Sequence, residues 1–437
     1  MKASKYNFFL QLDEEIVLIF NSKSCALAEV NKDYTNVLEK LQSGQKNFSE
    51  VEKKIIEELE EVGFVVPKSI DEFENLKNQH YRAKYNQNHM SITLAPTMDC
   101  NLACKYCFEN RKPGLMSEKV QNSVLKYLAS KLNDSSTLDI NWYGGEPLLA
   151  LDMIEKLSER IGEITKDKKC DYKQTMVTNG YLLSEEYAVR LKKMKLDAIQ
   201  ITLDGEKEVH DSRRVLKDGK TGSFEKILQG VKNAINVGLN VTIRVNIDKV
   251  NYPKMDDFLK CLKENEINKV KVAFGHVLPY TSSCEGYTDN CFSKEEYSNI
   301  VLDIQNMMQK AGLKNESVIY PSRKLTYCSA CNYNSFSIDS DGDMYKCWCE
   351  VGDKKESFSN ITEYENLEDE DQNNNLLKWI NRTPFDDSDC KECRLLPICM
   401  GGCPKMGHKD ANGKSCDLWK YNIENMIKCT YNYYTNE

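Results

Sequence analysis

Three cysteines, Cys100, Cys104 and Cys107, stand at short intervals between Asp99 and Phe108. Three thiolates from one loop suit a cubane [4Fe-4S] cluster, which takes four ligands, so one iron stays open to a small molecule. A zinc site ordinarily closes with a fourth Cys or His nearby, and none follows before Cys170. Zinc and idle thiols are the competing readings; the spacing favours the cluster.

The tail carries a second group. Cys331, Gly342 and Cys347 are separated by ten and four residues, and Cys390-x2-Cys393-x5-Cys399-x3-Cys403 and then Cys416 follow. Four thiolates satisfy zinc as well as an iron cluster. The acids Asp339, Asp341 and Asp343 around Gly342 do not make a calcium loop, because an EF-hand places its Gly sixth, between two helices. Asp341-Gly342 instead signals a hairpin joining Phe336–Ile338 to Met344–Lys346. The chain has 18 cysteines in 437 residues. A disulfide scaffold belongs to short secreted chains, so thiols at fixed spacing point to metal.

Four polar motifs accompany the cysteines: Gly144-Gly145-Glu146-Pro147, Thr178-Asn179-Gly180, Thr202-Leu203-Asp204-Gly205 and His210-Asp211-x-x-Arg214. Glycines let a backbone approach a ligand closely. A carboxylate can hold an ammonium, and an arginine can pair with a carboxylate. Arriving in this order after Cys-x3-Cys-x-Tyr-Cys, each at or just after a strand end, they resemble the radical S-adenosylmethionine (radical SAM) superfamily. The resemblance implies that Cys100, Cys104 and Cys107 carry a catalytic [4Fe-4S] cluster. It implies that Tyr106, Gly144, Gly145, Glu146, Asn179, Thr202, Asp204 and Arg214 form the SAM site, with Glu146 on the SAM ammonium and Arg214 on its carboxylate.

The seven-cysteine tail resembles the SPASM domain, a radical SAM extension with two auxiliary [4Fe-4S] clusters. That resemblance assigns Cys328, Cys331, Cys347 and Cys403 to the first and Cys390, Cys393, Cys399 and Cys416 to the second, giving three clusters in all. The remaining cysteines, Cys25, Cys170, Cys261, Cys284, Cys291, Cys349 and Cys429, read as small buried hydrophobes. Cys349, two residues from Cys347, is also a competing ligand.

The elements that must position these residues alternate from Ser91 to about Tyr280. Strands are expected at Ser91–Leu94, Thr137–Trp142, Gln174–Val177, Ala198–Leu203, Val241–Ile247 and Lys269–Phe274. Helices are expected at Ser117–Leu132, Leu151–Ile164, Ser184–Lys193, Ser223–Val237 and Pro253–Glu264. Alternation of this kind implies a parallel sheet with right-handed crossovers. Six strands fall short of the eight of a closed barrel, so the fold class is α/β, an open partial (β/α)6 TIM-like barrel.

The segmentation that follows is a winged-helix-like domain at 1–75, a linker at 76–90, the core at 91–285, a bridging region at 286–325 and the SPASM domain at 326–437. In the first segment Phe8–Leu12 and Ile16–Phe20 read as a hairpin, Ser24–Val30 as a third strand, and Ser49–Val62 as a helix opened by the capping box Ser49/Glu52. Phe64–Val66 reads as a returning strand. Glu363–Asn375 reads as an acidic, solvated loop.

The formal charge of −8, from 59 basic and 67 acidic residues, argues against broad nucleic-acid binding. No apolar run approaches a bilayer's thickness, and Met1–Phe20 lacks the parts of a signal peptide. A cytoplasmic protein without membrane partners is expected. Within radical SAM enzymes that carry SPASM tails, the resemblance implies two readings. One is a maturase of a ribosomally made peptide (RiPP), of the sactipeptide or ranthipeptide type, that joins a Cys sulfur to carbon. Its partners are a leader-bearing precursor, captured by strand addition at 1–75, and a reductant such as flavodoxin or ferredoxin. The other is formylglycine formation in sulfatases, where a general-base Asp directly follows the cysteine that here is Cys347; Trp348 stands in that place. Carbon–carbon crosslinking and epimerisation are further options. A multi-cluster electron carrier is disfavoured, since carriers close each cluster with four thiols. Because all predicted ligands lie beyond residue 90, removing residues 1 to about 80 is expected to leave every cluster in place.

Overall fold

The computed structural model describes residues 1–267, 270–313, 320–363, 373–409 and 414–435. Two compact units emerge, and neither follows the order of the chain. One comprises Met1–Tyr85, Ile319–Cys328 and Arg382–Glu437; the other comprises Asn86–Val318 and Ser329–Asn381.

The first unit opens with β1 (Lys2–Ala3), β2 (Asn7–Gln11), β3 (Val17–Asn21) and β4 (Leu27–Val30), followed by α1 (Lys32–Gln42), α2 (Glu50–Glu61), β5 (Val65–Val66) and α3 (Glu72–Lys84). Strands β2, β3 and β4 form an antiparallel sheet, and β1 pairs with β5. The hairpin register sets Phe8 against Phe20 and Leu10 against Leu18. The Ser49/Glu52 capping box forms as expected. The expected hairpin, third strand, capped helix and returning strand are all present, and β1, α1 and α3 are added to them.

The run Val17-Leu18-Ile19-Phe20 does not alternate because both faces of the sheet are covered. Ile19 packs with Val37, Leu38, Ile55, Ile56 and Leu59 of α1 and α2. Leu10, Leu18 and Phe20 pack on Leu395, Ile398, Ile423 and Ile427 of the tail. The tail here is itself helical, ending in Trp419–Thr435.

The stretch expected to be a linker is α3. Its buried stripe is Glu72, Phe73, Leu76, His80 and Lys84, mostly polar, so apolar periodicity does not announce it. Its polar members find partners far away in the sequence: Glu72 accepts from Ser4 and the Lys5 amide, at 2.7 and 2.9 Å. His80 meets the Leu325 carbonyl and Lys84 donates to the Arg382 carbonyl, both at 2.7 Å.

The second unit is built on β6 (His89–Leu94), β7 (Thr137–Trp142), β8 (Asp171–Thr178), β9 (Ala198–Thr202), β10 (Val241–Ile247) and β11 (Lys271–His276). All are parallel, in sequential order, and close to their expected positions. Lys269, the expected start of the last strand, lies outside the described residues, as do residues 364–372 of the expected acidic loop. The hairpin β12 (Ser335–Ile338) and β13 (Asp343–Tyr345), with β14 (Ser359–Asn360), joins this same sheet. β12 runs parallel beside β6, with Ser335 against Ser91. The sheet is therefore open, mostly parallel and nine strands wide.

Alternation along the strands divides its faces. Ile92, Leu94, Ile140, Ile243 and Val245 are fully buried, whereas Thr93, Asn141, Thr175, Gln200, Thr242 and Arg244 on the other face keep partial exposure. That second face is thus polar. Among the described residues, no helix is long and apolar enough to cross a membrane.

Candidate active site

The loop after β6 carries the three cysteines, and backbone bonds fix it on two sides. Gly145 and Glu146 donate their amides to Thr97 O and Asp99 O at 3.1 and 2.8 Å, and Ala103 and Lys105 donate to Val215 O and Arg213 O at 2.7 and 3.1 Å. The glycines after β7 serve this packing. A Cβ on Gly144 would stand 2.4 Å from Thr97 O, and one on Gly145 2.2 Å from Asp99 O. Close approach is needed, as expected, but its object is the cysteine loop itself.

Cys100, Cys104, Cys107, Tyr106, Gly144, Gly145, Asn179, Thr202 and Arg214 line one cavity of about 300 Å³ at the carboxyl ends of the strands. Burial raises all three thiols. Cys100 is pushed up to about 12, with Glu146 adding to the effect, and Cys107 to about 11, with Glu109 adding. Cys104 moves the same way. Binding as thiolates therefore releases protons, which a cationic cluster must offset. Among the described residues, no three Cys, His or carboxylate side chains already stand in a metal-binding arrangement. The donor set fits a cluster: three free thiols on one loop, beside Arg214, whose buried Nε has no hydrogen-bond partner.

Glu146 lies behind the cavity wall. Its carboxylate accepts from Thr178 Oγ1, Asn179 N and Leu148 N at 2.6, 2.7 and 2.9 Å. It is fully buried, and burial raises its pKa despite these donors. The side chain ties the loop after β7 to the end of β8. Glu146→Gln replaces an acceptor oxygen with a donor, so it should leave a buried donor unpaired and cost about 1–3 kcal/mol. Denaturant unfolding measures this, and an unchanged midpoint would leave the carboxylate available to a ligand.

Asp204 also lies behind the cavity wall. It accepts from Tyr106 Oη and, at 2.8 Å, from Asn246 N. Arg214 donates to the same Tyr106 oxygen at 2.7 Å. Asn179 donates to Asn101 at 2.8 Å and lies 3.8 Å from the Cys100 sulfur.

The sequence reading missed several residues here. Arg213 is 1 % exposed, bonds Asp248 at 2.6 Å, lies 3.6 Å from Asp204 and stacks over the Tyr106 ring at 4.9 Å. Its position beside Arg214 in the His-Asp-x-x-Arg motif was the available signal. Glu109, Tyr143, Trp348 and Cys349 also line the cavity. Burial pushes Glu109 up to about 8 despite a hydrogen bond from Tyr143, and Tyr143 meets the Trp348 ring at 5.4 Å. No spacing rule reaches Glu109 or Tyr143, single residues on separate loops, whereas Trp348 and Cys349 had already stood out beside Cys347.

For the tail, Cys390 is pushed up to about 12 by burial, Asp387 and the neighbouring Cys399 and Cys393, and Cys399 feels Cys416. The four thiols expected to share a cluster are neighbours within one unit. Cys331 and Cys347 belong to the other unit, where Cys347 hydrogen-bonds Cys349, a contact that raises it strongly. Cys328 and Cys403 are grouped with the first unit.

Residues 94–262 match the Radical SAM superfamily. The chain is 26% identical over 391 residues to the cysteine-type anaerobic sulfatase-maturating enzyme of Clostridium novyi, covering 78% of this chain and 96% of that one. It is 25% identical over 483 residues to the radical SAM cyclopropyl synthase TigE of Paramaledivibacter caminithermalis, covering 97% and 95%. Among solved structures, native anSMEcpe with bound AdoMet matches with TM-score 0.62 and 19% identity, over 78% of this chain and 99% of that one. Streptococcus suis SuiB bound to S-adenosylmethionine matches with TM-score 0.55 and 20% identity, over 94% and 98%. The matched segment spans the cysteine loop and four of the six parallel strands, β7 to β10, so this enzyme carries a radical SAM domain in residues 94–262.

Proposed function

We infer that the chain modifies a ribosomally made peptide, joining a Cys sulfur to carbon in a precursor whose leader docks on the strands and helices of residues 1–85. The observation that carries this reading is coverage. The anSMEcpe fold spans 78% of the chain, whereas the fold of SuiB, solved with its precursor peptide SuiA, spans 94%. Trp348 at the place of the sulfatase maturases' general base supports the same choice. Formylglycine formation is the second reading, favoured by the higher TM-score of anSMEcpe.

A [4Fe-4S] cluster with SAM would supply a 5'-deoxyadenosyl radical for hydrogen abstraction. Cys100, Cys104 and Cys107 would hold that cluster, and Arg214, Asn179, Thr202 and the Gly144-Gly145 backbone would hold SAM. Tyr106, fixed by Asp204 and Arg214, keeps the cysteine loop against β10. Cys328, Cys331, Cys347 and Cys403, and Cys390, Cys393, Cys399 and Cys416, are the proposed auxiliary sets. A soluble reductant such as flavodoxin or ferredoxin, a cytoplasmic setting, and no nucleic-acid or membrane partner complete the reading.

Anaerobic incubation with SAM, reductant and the precursor encoded beside this gene tests it. Mass spectrometry should show loss of two hydrogens per bond formed, with a Cys thiol consumed. Replacing Cys100, Cys104 and Cys107 together by Ala should remove about four of about twelve irons and abolish 5'-deoxyadenosine formation. An untouched precursor, with a sulfatase Cys or Ser peptide converted instead, would favour the second reading.

A further inference from the structure

Three arginines line the cavity, and two are committed. Arg111 bonds the Leu102 carbonyl and the Cys107 thiol. Arg214 bonds Tyr106 and lies beside Asp204. Arg244 differs. It enters the same cavity from β10, level with Thr202 on β9 and Ala273 on β11. Its Nε donates to Asn246 Oδ1 at 3.1 Å. Its two terminal nitrogens have neither a hydrogen-bond acceptor nor a carboxylate partner among the described residues.

The fold makes room for this pose. Gly275 on β11 pairs in register with Asn246. A Cβ there would stand 1.5 Å from a terminal nitrogen of Arg244 and 1.9 Å from its Cζ. Gly275 is not among the glycines with positive φ, so its backbone has no need of glycine; the arginine has. A guanidinium whose terminal nitrogens meet no carboxylate is costly to hold in a cavity until a ligand supplies one. Its planar fork matches a carboxylate.

We propose that Arg244 is a specificity-determining residue that grips a carboxylate of the substrate peptide, either an Asp or Glu side chain or a free C-terminus. This rests on the peptide-modifying reading above and names a feature of its substrate. The closing test uses full-length, anaerobically reconstituted enzyme with SAM present. The probes are N-acetyl-aspartate α-amide, N-acetyl-alanine with its free carboxylate, and N-acetyl-asparagine α-amide as the neutral match. Calorimetry should find one carboxylate probe bound about tenfold more tightly than the neutral amide. Which one it is distinguishes a side chain from a C-terminus. Arg244→Gln should erase the preference and Arg244→Lys should keep part of it. Gly275→Ala should weaken it while leaving the arginine in the chain. Equal binding of all three probes, or no binding by wild type, overturns the proposal. So does a matching loss of SAM affinity in Arg244→Gln, which would assign the guanidinium to SAM. Failure of the peptide-modifying reading shows separately, as a precursor left unmodified whatever the probes do.

Discussion

A chain that begins at residue 81 should lose about four of about twelve irons and expose its tail to protease. The sequence reading expected the opposite, because no predicted ligand lies before residue 90. Packing reverses it. Leu10, Leu18 and Phe20 cover Leu395, Ile398, Ile423 and Ile427, while Tyr6, Phe73 and Leu76 cover Phe385, Leu396 and Met400. Polar contacts run through the same seam: Ser22 donates to the Arg394 carbonyl, and Arg394 donates to Asn7 O at 3.2 Å. Each large apolar side chain uncovered costs about 1.5–3 kcal/mol. Several together exceed the about 5–15 kcal/mol that holds a domain folded. Cys390, Cys393 and Cys399 pack against these clusters and would lose their frame. Iron per chain and limited trypsinolysis check this. Full iron with a resistant tail would show that residues 382–437 fold without the N-terminal strands.

Arg213→Met should destabilise the unit of the barrel by about 3–5 kcal/mol at neutral pH, since removing one partner leaves buried carboxylates uncompensated. Arg213, Asp204 and Asp248 are all within 1 % of full burial. Burial would raise Asp204, but Arg213 and Arg214 outweigh it and hold its pKa below the ordinary value. A lowered folded pKa contributes stability above the unfolded value, about 3.9, and that stability is lost as pH falls through the folded value. The variant's deficit should therefore be full at pH 7 and shrink below about pH 4. Denaturant unfolding of wild type and variant across this range measures it. The same substitution should loosen Tyr106, which stacks under the guanidinium, and so weaken SAM binding. A deficit below about 1 kcal/mol at pH 7 would mean that the carboxylates find other partners.

The core was legible in the sequence because its signals are local. Apolar runs of strand length alternating with amphipathic helices placed all six parallel strands, and the capping box at Ser49 placed α2. The cysteine triplet and the motifs after the strands were legible for the same reason: each loop end follows one strand, and parallel strands bring all their carboxyl ends to one side of the sheet. What escaped was whatever depends on residues distant in sequence. α3 hid because its buried stripe is polar and is satisfied by Ser4, Leu325 and Arg382.

The sequence alone determined the chemistry available to this protein: three thiols with an open fourth place, a sheet that gathers the loops, and further thiols in the tail. Tertiary structure decided what each polar group does. Glu146 and Asp204 became internal braces because donors from other elements reach them, Thr178 and Asn179 for the one, Tyr106 and Asn246 for the other. Among the described residues, Arg244 alone of the cavity arginines makes no hydrogen bond from either terminal nitrogen. Tertiary structure also decided that the tail divides, its first half extending the barrel sheet through β12 beside β6 and its second half sealing the far face of β2 and β3. The physical reason is common to both. A hydrogen-bonding or apolar group is fixed by its nearest neighbours in space, and spacing along the chain specifies those neighbours only within one turn, one strand or one loop.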